Sequence, residues 1–255
     1  MIRIGVIGTG NVATALAKEI CSQKALTLVQ IIGRHQNKLP KGLIDVPFSN
    51  QFNALPTCDV VLIAVSDHSI QEVSNQLPLT DAIVAHTSGA SSMDLLSNHK
   101  HHGVVYPLQT FSKEQQQLNW SEIPILWEGN NKQVNEKLET LSKLLSPLAT
   151  QIDEKQRLSM HLAAVVVNNF TNHLYAEAYR FCKSKHVNFD LLVPLIEETT
   201  RKIKQLDPRE IQTGPASRGD METIQRHKTI PMTEELNDIY SLFTSQLLKQ
   251  HNEII

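Results

Sequence analysis

The chain opens with Met1-Ile-Arg-Ile-Gly-Val-Ile-Gly-Thr-Gly-Asn-Val-Ala-Thr-Ala-Leu16, and the fold follows from how this stretch must bend. Ile2 to Ile7 is a short apolar run with β-branched residues, the composition of a strand. The residues after Gly10 favour helix. The turn between them is sharp, and Gly8 takes backbone dihedrals that a side chain forbids. Gly10 lets a pyrophosphate approach the main chain, and Ala13, small like a third glycine, lets the helix lie close to the strand. The first N–H groups of that helix have no partner within it and face an anion. Gly8-Thr9-Gly10-Asn11-Val12-Ala13, placed after a strand and before a helix, is therefore a dinucleotide-binding signature. A tight turn without a ligand is the plainer alternative, and it explains the placement of both glycines less well.

The second strand ends in Ile32-Gly33-Arg34-His35. An acidic residue there would bind a ribose 2′-hydroxyl, whereas Arg34 can pair with a 2′-phosphate, so NADP is expected rather than NAD. A solvated arginine is the competing reading.

Outward from this unit, strand patterns recur at Ile2 to Ile7, Leu28 to Ile32, Asp59 to Val65, Ala82 to His86, Gly103 to Tyr106, Ile123 to Trp127 and Ala149 to Ile152. The run Val60-Val-Leu-Ile-Ala-Val65 does not alternate, as befits a parallel strand covered on both faces. Strands taking turns with helices predict an α/β, doubly wound parallel sheet, a Rossmann domain over residues 1–153. From residue 154 to 255 the pattern is helical. Lys155 to Lys185 reads as one helix of about 31 residues, or ~45 Å. Its centre, Leu162 to Val167, is apolar all round and so is expected to be enclosed, partly by a second copy of the chain. Asp190 and Thr233 are the expected N-caps of two further helices, running to Leu206 and about Gln250.

Composition narrows the function. With 255 residues, 41% of them hydrophobic, the chain can bury a substantial core. A net charge of −2 supplies no basic surplus for phosphates, so nucleic acid and anionic membrane are not expected partners. Small molecules are the expected ligands. Cys21, Cys58 and Cys182 form no C-x-x-C pair, which argues against a disulfide framework or zinc site. No signal peptide pattern and no apolar stretch of roughly 18 residues is visible. The expectation is a cytoplasmic protein, in which the sequons at Asn119 and Asn169 carry no glycan.

Five segments carry a resemblance: Gly8 to Ala13, His86-Thr-Ser-Gly89, Tyr106-Pro-Leu-Gln-Thr-Phe111, His161-Leu-Ala-Ala with Asn168-Asn169-Phe-Thr-Asn172, and Thr213-Gly-Pro-Ala-Ser-Arg-Gly-Asp220. Over nearly its whole length the chain resembles the Rossmann-like NADP oxidoreductases with a DUF2520 C-terminal domain. That group is similar to pyrroline-5-carboxylate reductase and, more distantly, to the 6-phosphogluconate and 3-hydroxyacid dehydrogenases. The resemblance implies hydride transfer and a helical domain that dimerises. One departure matters: the hydroxyacid dehydrogenases carry Lys-x-x-x-Asn on the long helix, where this chain has His161 and Val165. Their acid–base chemistry does not carry over.

Ligands of open α/β sheets collect beyond the carboxyl ends of the strands. Val65, Ser66 and Asp67, and His86 to Gly89 with Ser88, are thus expected beside the cofactor, with helix capping as the alternative for Ser66, Asp67 and Ser88. In the helical half, Gly214 and Gly219 flank Arg218 in one loop whose place resembles the substrate loop of pyrroline-5-carboxylate reductase. Thr213 and Arg218 are candidate substrate contacts, Arg218 for a carboxylate. The competing role is an Arg218–Asp220 pair that fixes a helix start. His161, Asn168 and Asn172 are spaced by seven and four along one helix face. His161 and Ser88 are the candidate proton donors, and the asparagines are read as interior polar groups that bond a substrate or a neighbouring helix. His99, His101 and His102 suggest a metal, but adjacent loop histidines without a carboxylate or thiol cluster usually sit in solvent, so no metal is expected. Together these readings point to an NADP-dependent oxidoreductase acting on a C=N or C=O carbon of a small carboxylate-bearing metabolite. The rival is a non-catalytic NADP(H)-binding redox sensor or scaffold.

Overall fold

The computed structural model describes residues 1–34, 39–112 and 118–254; His35 of the second-strand reading lies outside them. Eight strands form one sheet: β1 (Ile2–Ile7), β2 (Leu26–Ile32), β3 (Phe48–Ser49), β4 (Val60–Ile63), β5 (Ile83–His86), β6 (His102–Pro107), β7 (Ile125–Gly129) and β8 (Ala149–Gln151). Their order is β3-β2-β1-β4-β5-β6-β7-β8. The first six are parallel, β7 runs antiparallel to β6, and β8 is parallel to β7. The sheet is thus the doubly wound one expected, with its last two strands, β7 and β8, reversed. Among the described residues no α-helix stands between β6 and β7, and antiparallel neighbours need no crossover. The two-residue β3 carries too short a pattern to be legible in advance.

Helices cover both faces because the strands are apolar on both. Val60 and Leu62 join Ile4, Val6, Leu16, Ile20, Leu138 and Leu141 in one core. The last four lie on α1 (Asn11–Ser22) and α3 (Lys132–Leu145). Val61 and Ile63 point the other way, to Ile7, Ile70 and Leu96 beside α2 (Ile70–Gln76). All four residues of β4 are fully buried. The strand order reverses between β1 and β4, so the turn after β1 opens at the switch point of the sheet.

The predicted long helix forms as α4 (Glu154–Ala164), a π-helical stretch over Val165–Phe170, and α5 (Thr171–Ser184). Its start is a capping box: the Asp153 carboxylate accepts from Gln156 N–H at 2.7 Å, and the Gln156 side chain accepts from Asp153 N–H at 3.0 Å. The chain divides into two compact units, 1–168 and 169–255. Arg157 of α4 is anchored in the first unit, which carries that end of the helix with it. The expected enclosure of residues 162–167 does not occur within the chain: Leu162 is 64% and Val167 70% exposed.

In the second unit α6 (Val193–Ile203), α7 (Met221–Lys228) and α8 (Glu234–Ile254) follow. Asp190 is not the cap of α6. Asn188 accepts from Asp190 N–H and starts a 3-10 turn, Phe189–Leu192, that leads into it. Thr233 caps α8 through Leu236 N–H at 3.3 Å. Among the described residues no helix is long and apolar enough to cross a membrane.

Candidate functional site

The carboxyl end of the sheet in the first unit holds a cleft of about 1830 Å³. Gly8 enters the turn at φ +129°, and a Cβ built there would lie 2.2 Å from the Ala64 carbonyl oxygen and 3.3 Å from the Ala13 Cβ. Gly10 is the N-cap of α1 and makes no side-chain cap bond; a Cβ built on it meets nothing within 4 Å. The open space that glycine leaves is a cradle beside the free N–H groups of a helix start, which fits a dinucleotide pyrophosphate. Gly8, Thr9, Gly10, Asn11 and Val12 line the cleft, while Ala13 is buried beneath it. The Asn11 side chain donates to the Phe111 carbonyl at 2.9 Å and ties the turn to the segment after β6. Arg34, exposed at the end of β2, lines the cleft with Asn50.

Val65, Ser66 and Asp67 line the opposite wall. Ser66 does not cap the turn after it; its hydroxyl lies 3.0 Å from Ser69 Oγ and 3.3 Å from His68 Nε2. Thr87 and Ser88 complete that wall, but His86, expected beside the cofactor, is fully buried behind it. His86 Nδ1 accepts from Ser88 N–H at 3.2 Å and its Nε2 faces the Ser92 carbonyl at 3.3 Å, which sets the ring proton on Nε2. Burial, with the Arg157 charge adding, pushes its pKa down to about 4. A neutral imidazole thus shapes the loop behind the wall. The Ser88 hydroxyl accepts from Ala90 and Ser91 N–H at 3.1 and 3.0 Å, so the capping role is filled, and its own O–H is still able to donate.

This loop is held by Arg157, 1% exposed, whose Nη1 donates to the Ser91 carbonyl at 2.9 Å and approaches that of Ser88 at 3.5 Å. Nη2 lies 3.9 Å from Glu128 and 3.8 Å from Glu154. Glu154 in turn accepts from Ser92 Oγ at 2.7 Å and Met93 N–H at 3.2 Å. Burial pushes the Glu128 carboxyl up despite its cationic neighbour. Arg157 carried no sign of this in the sequence, where a charged residue in a first helical turn reads as solvated.

His161 stands beside the same loop. Its Nδ1 is 3.1 Å from the Tyr106 hydroxyl, and the two rings meet edge to face with centroids 5.9 Å apart. A Cβ on Gly89 would lie 2.6 Å from the Tyr106 ring and 2.7 Å from His161 Nδ1. Strand register alone does not reveal that the Tyr106 side chain meets His161, so the sequence motif around Tyr106 carries no sign of this pair.

Asn168 and Asn172, expected as interior polar groups, are exposed. Asn168 ends the first unit; Asn172, Thr213 and Arg218 belong to the second. There Gly214 (φ +111°) and Gly219 (φ +67°) bracket a short 3-10 turn, Ala216–Arg218. The Asp220 carboxylate accepts from Thr223 N–H and hydroxyl at 3.0 and 2.7 Å and starts α7. Thr213 and Arg218 are exposed. His99 is not in solvent: it is 2% exposed, with Nε2 3.1 Å from the Ser74 carbonyl.

A cleft floored by main-chain amides, at the point where strand order reverses, is how nicotinamide-dependent oxidoreductases hold their cofactor, and this chain is of that class. It belongs to the NADP oxidoreductases that join such a domain to DUF2520. Residues 3–88 match the family model "NADP oxidoreductase coenzyme F420-dependent" and residues 123–247 the model "Domain of unknown function (DUF2520)". The chain is 31% identical to the NADP oxidoreductase-type protein BF3122 of Bacteroides fragilis, with 97% of this chain and 98% of that one covered and a TM-score of 0.86. Protein TM1727 of Thermotoga maritima is 20% identical, with 98% and 97% covered and a TM-score of 0.72. Pyrroline carboxylate reductase of Plasmodium falciparum, solved with NADP bound, is 14% identical, with 98% of each chain covered and a TM-score of 0.61; it shares the fold. No curated protein matches the chain.

Proposed function

We propose that the protein transfers a hydride between NADPH and the C=N or C=O carbon of a small, carboxylate-bearing metabolite. The observation that carries this reading is the cradle at Gly10, open at the helix start within a cleft that continues past Asp67 to Ser88. The cofactor, when bound, supplies the hydride. The chain's own residues bind, orient and protonate. Main-chain amides of residues 8–13 hold the pyrophosphate, and Arg34 pairs with the 2′-phosphate. Val65, Ser66, Asp67 and Ser88 flank the nicotinamide. His161 and Ser88 are the proton-donating groups, and Thr213 and Arg218, on a loop with two left-handed glycines, take the substrate carboxylate. The fold shared with a pyrroline carboxylate reductase supports a C=N carbon as the reacting centre.

On this reading residues 1–153 serve the nucleotide and 154–255 the substrate and a second copy of the chain. Exposed Phe170, Tyr179, Leu191 and Leu195 supply the apolar surface for a homodimer through these helices. Three free thiols suit the reducing cytoplasm.

The test is titration calorimetry with NADPH and NADH, followed by absorbance at the reduced-nicotinamide band with cyclic imines and 2-oxo acids. Preference for NADPH and consumption with at least one compound are expected. Tight NADPH binding with no consumption across a broad panel points to the sensor, and no nucleotide binding overturns the reading altogether.

A further inference from the structure

Three segments far apart in the chain meet at one point: the exit of β5 at Gly89, the end of β6 at Tyr106, and α4 at His161. The Tyr106 hydroxyl and His161 Nδ1 are 3.1 Å apart, and the pair closes so tightly over the Gly89 main chain that a single methyl group there would force both rings away. Gly89 follows Ser88 of the cleft wall, and the charged residue that acts on Tyr106 is Asp67 of the same wall. The pair thus stands directly behind the cleft wall, next to residues that line it. The partner of the Tyr106 hydroxyl is an imidazole nitrogen, a group that can accept or donate a proton.

We propose that Tyr106 and His161 form one proton conduit in which the Tyr106 hydroxyl is the terminal donor to the substrate heteroatom. The assignment rests on the hydride-transfer reading above. While the ring is neutral, the hydroxyl donates to Nδ1 and the ring proton stays on Nε2. When the ring takes its second proton, on Nδ1, the hydroxyl turns to accept that N–H, and its own hydrogen points outward. As the substrate carbon is reduced, the π pair of C=N or C=O moves onto nitrogen or oxygen. That lone pair takes the hydrogen from Tyr106 Oη while Oη takes the Nδ1 proton, and the electron pairs of the broken O–H and N–H bonds stay on Oη and Nδ1. The substrate gains one proton and His161 loses one positive charge. No tyrosinate accumulates, which suits a hydroxyl that burial, with Asp67 adding, holds above its ordinary pKa.

Tyr106→Phe removes one oxygen and leaves the ring in place. In full-length protein labelled with ¹⁵N at histidine, the neutral His161 ring is expected as a single tautomer, Nε2 protonated and Nδ1 accepting; in Tyr106→Phe the two tautomers mix. With NADPH and 1-pyrroline, single-turnover reduction is expected to slow by about 10²-fold or more while NADPH affinity stays within about 2-fold. Nitrogen shifts identical in the two proteins overturn the conduit, whether or not 1-pyrroline is reduced. An unchanged single-turnover rate also overturns it. If NADPH fails to bind while the shifts respond to Tyr106→Phe, the hydride-transfer reading falls and the pair is a hydrogen-bonded couple without that use.

Discussion

At the scale of single residues, the two glycines of the opening turn do different work. Gly8 is required by conformation and by the Ala64 carbonyl, whereas Gly10 is surrounded by open space. Gly10→Val is therefore expected to fold with its melting temperature nearly unchanged and to lose NADPH affinity by about 10-fold or more, because its branches fill the pyrophosphate cradle; calorimetry beside a thermal melt separates the two effects. Arg157 predicts the opposite division. Arg157→Met leaves the Ser88 and Ser91 carbonyls without their donor and Glu128 without its cation, and urea unfolding is expected to show a loss of about 3–5 kcal/mol. The glycines were legible because local geometry demands them. Arg157 was not, because its worth depends on carbonyls more than sixty residues earlier in the chain.

At the scale of elements, legibility followed the strength of the local signal. The non-alternating β4 states its structure within a few residues and forms within the predicted run, and the long helix starts at a capping box on Asp153. Asp153→Ala is expected to cost about 1 kcal/mol of stability without altering NADPH binding, measured by denaturant midpoint. The two-residue β3 and the π stretch at Val165–Phe170 were not legible. A pair of residues shows no period, and a π turn differs from an α turn by a hydrogen-bond shift that composition does not record.

For the whole molecule, buried histidines set the response to acid. His86 is neutral in the fold with a pKa near 4, and burial also lowers that of His99, against about 6.5 in an unfolded chain. Between those values the unfolded state binds more protons, so stability is full above about pH 6.5 and falls as the pH drops towards 4. His86 alone contributes on the order of 3 kcal/mol to that fall. Denaturant melts at half-unit pH steps check it, and His86→Gln is expected to flatten the slope. The helices of the second unit leave Leu191 74% and Leu195 64% exposed. Under the homodimer proposal, Leu191→Glu with Leu195→Glu is expected to halve the sedimenting mass in analytical ultracentrifugation while the helical signal remains.

The amino-acid order by itself determined the strand-and-helix pattern of the doubly wound sheet and the turn at its switch point, since each is written among near neighbours: a strand period, a glycine dihedral, a free helix N-terminus. Only the tertiary structure decided that His86 is buried and that Tyr106 rests on His161 over Gly89. Those are meetings across strands and helices, where the distance that matters is through space and no local pattern encodes it.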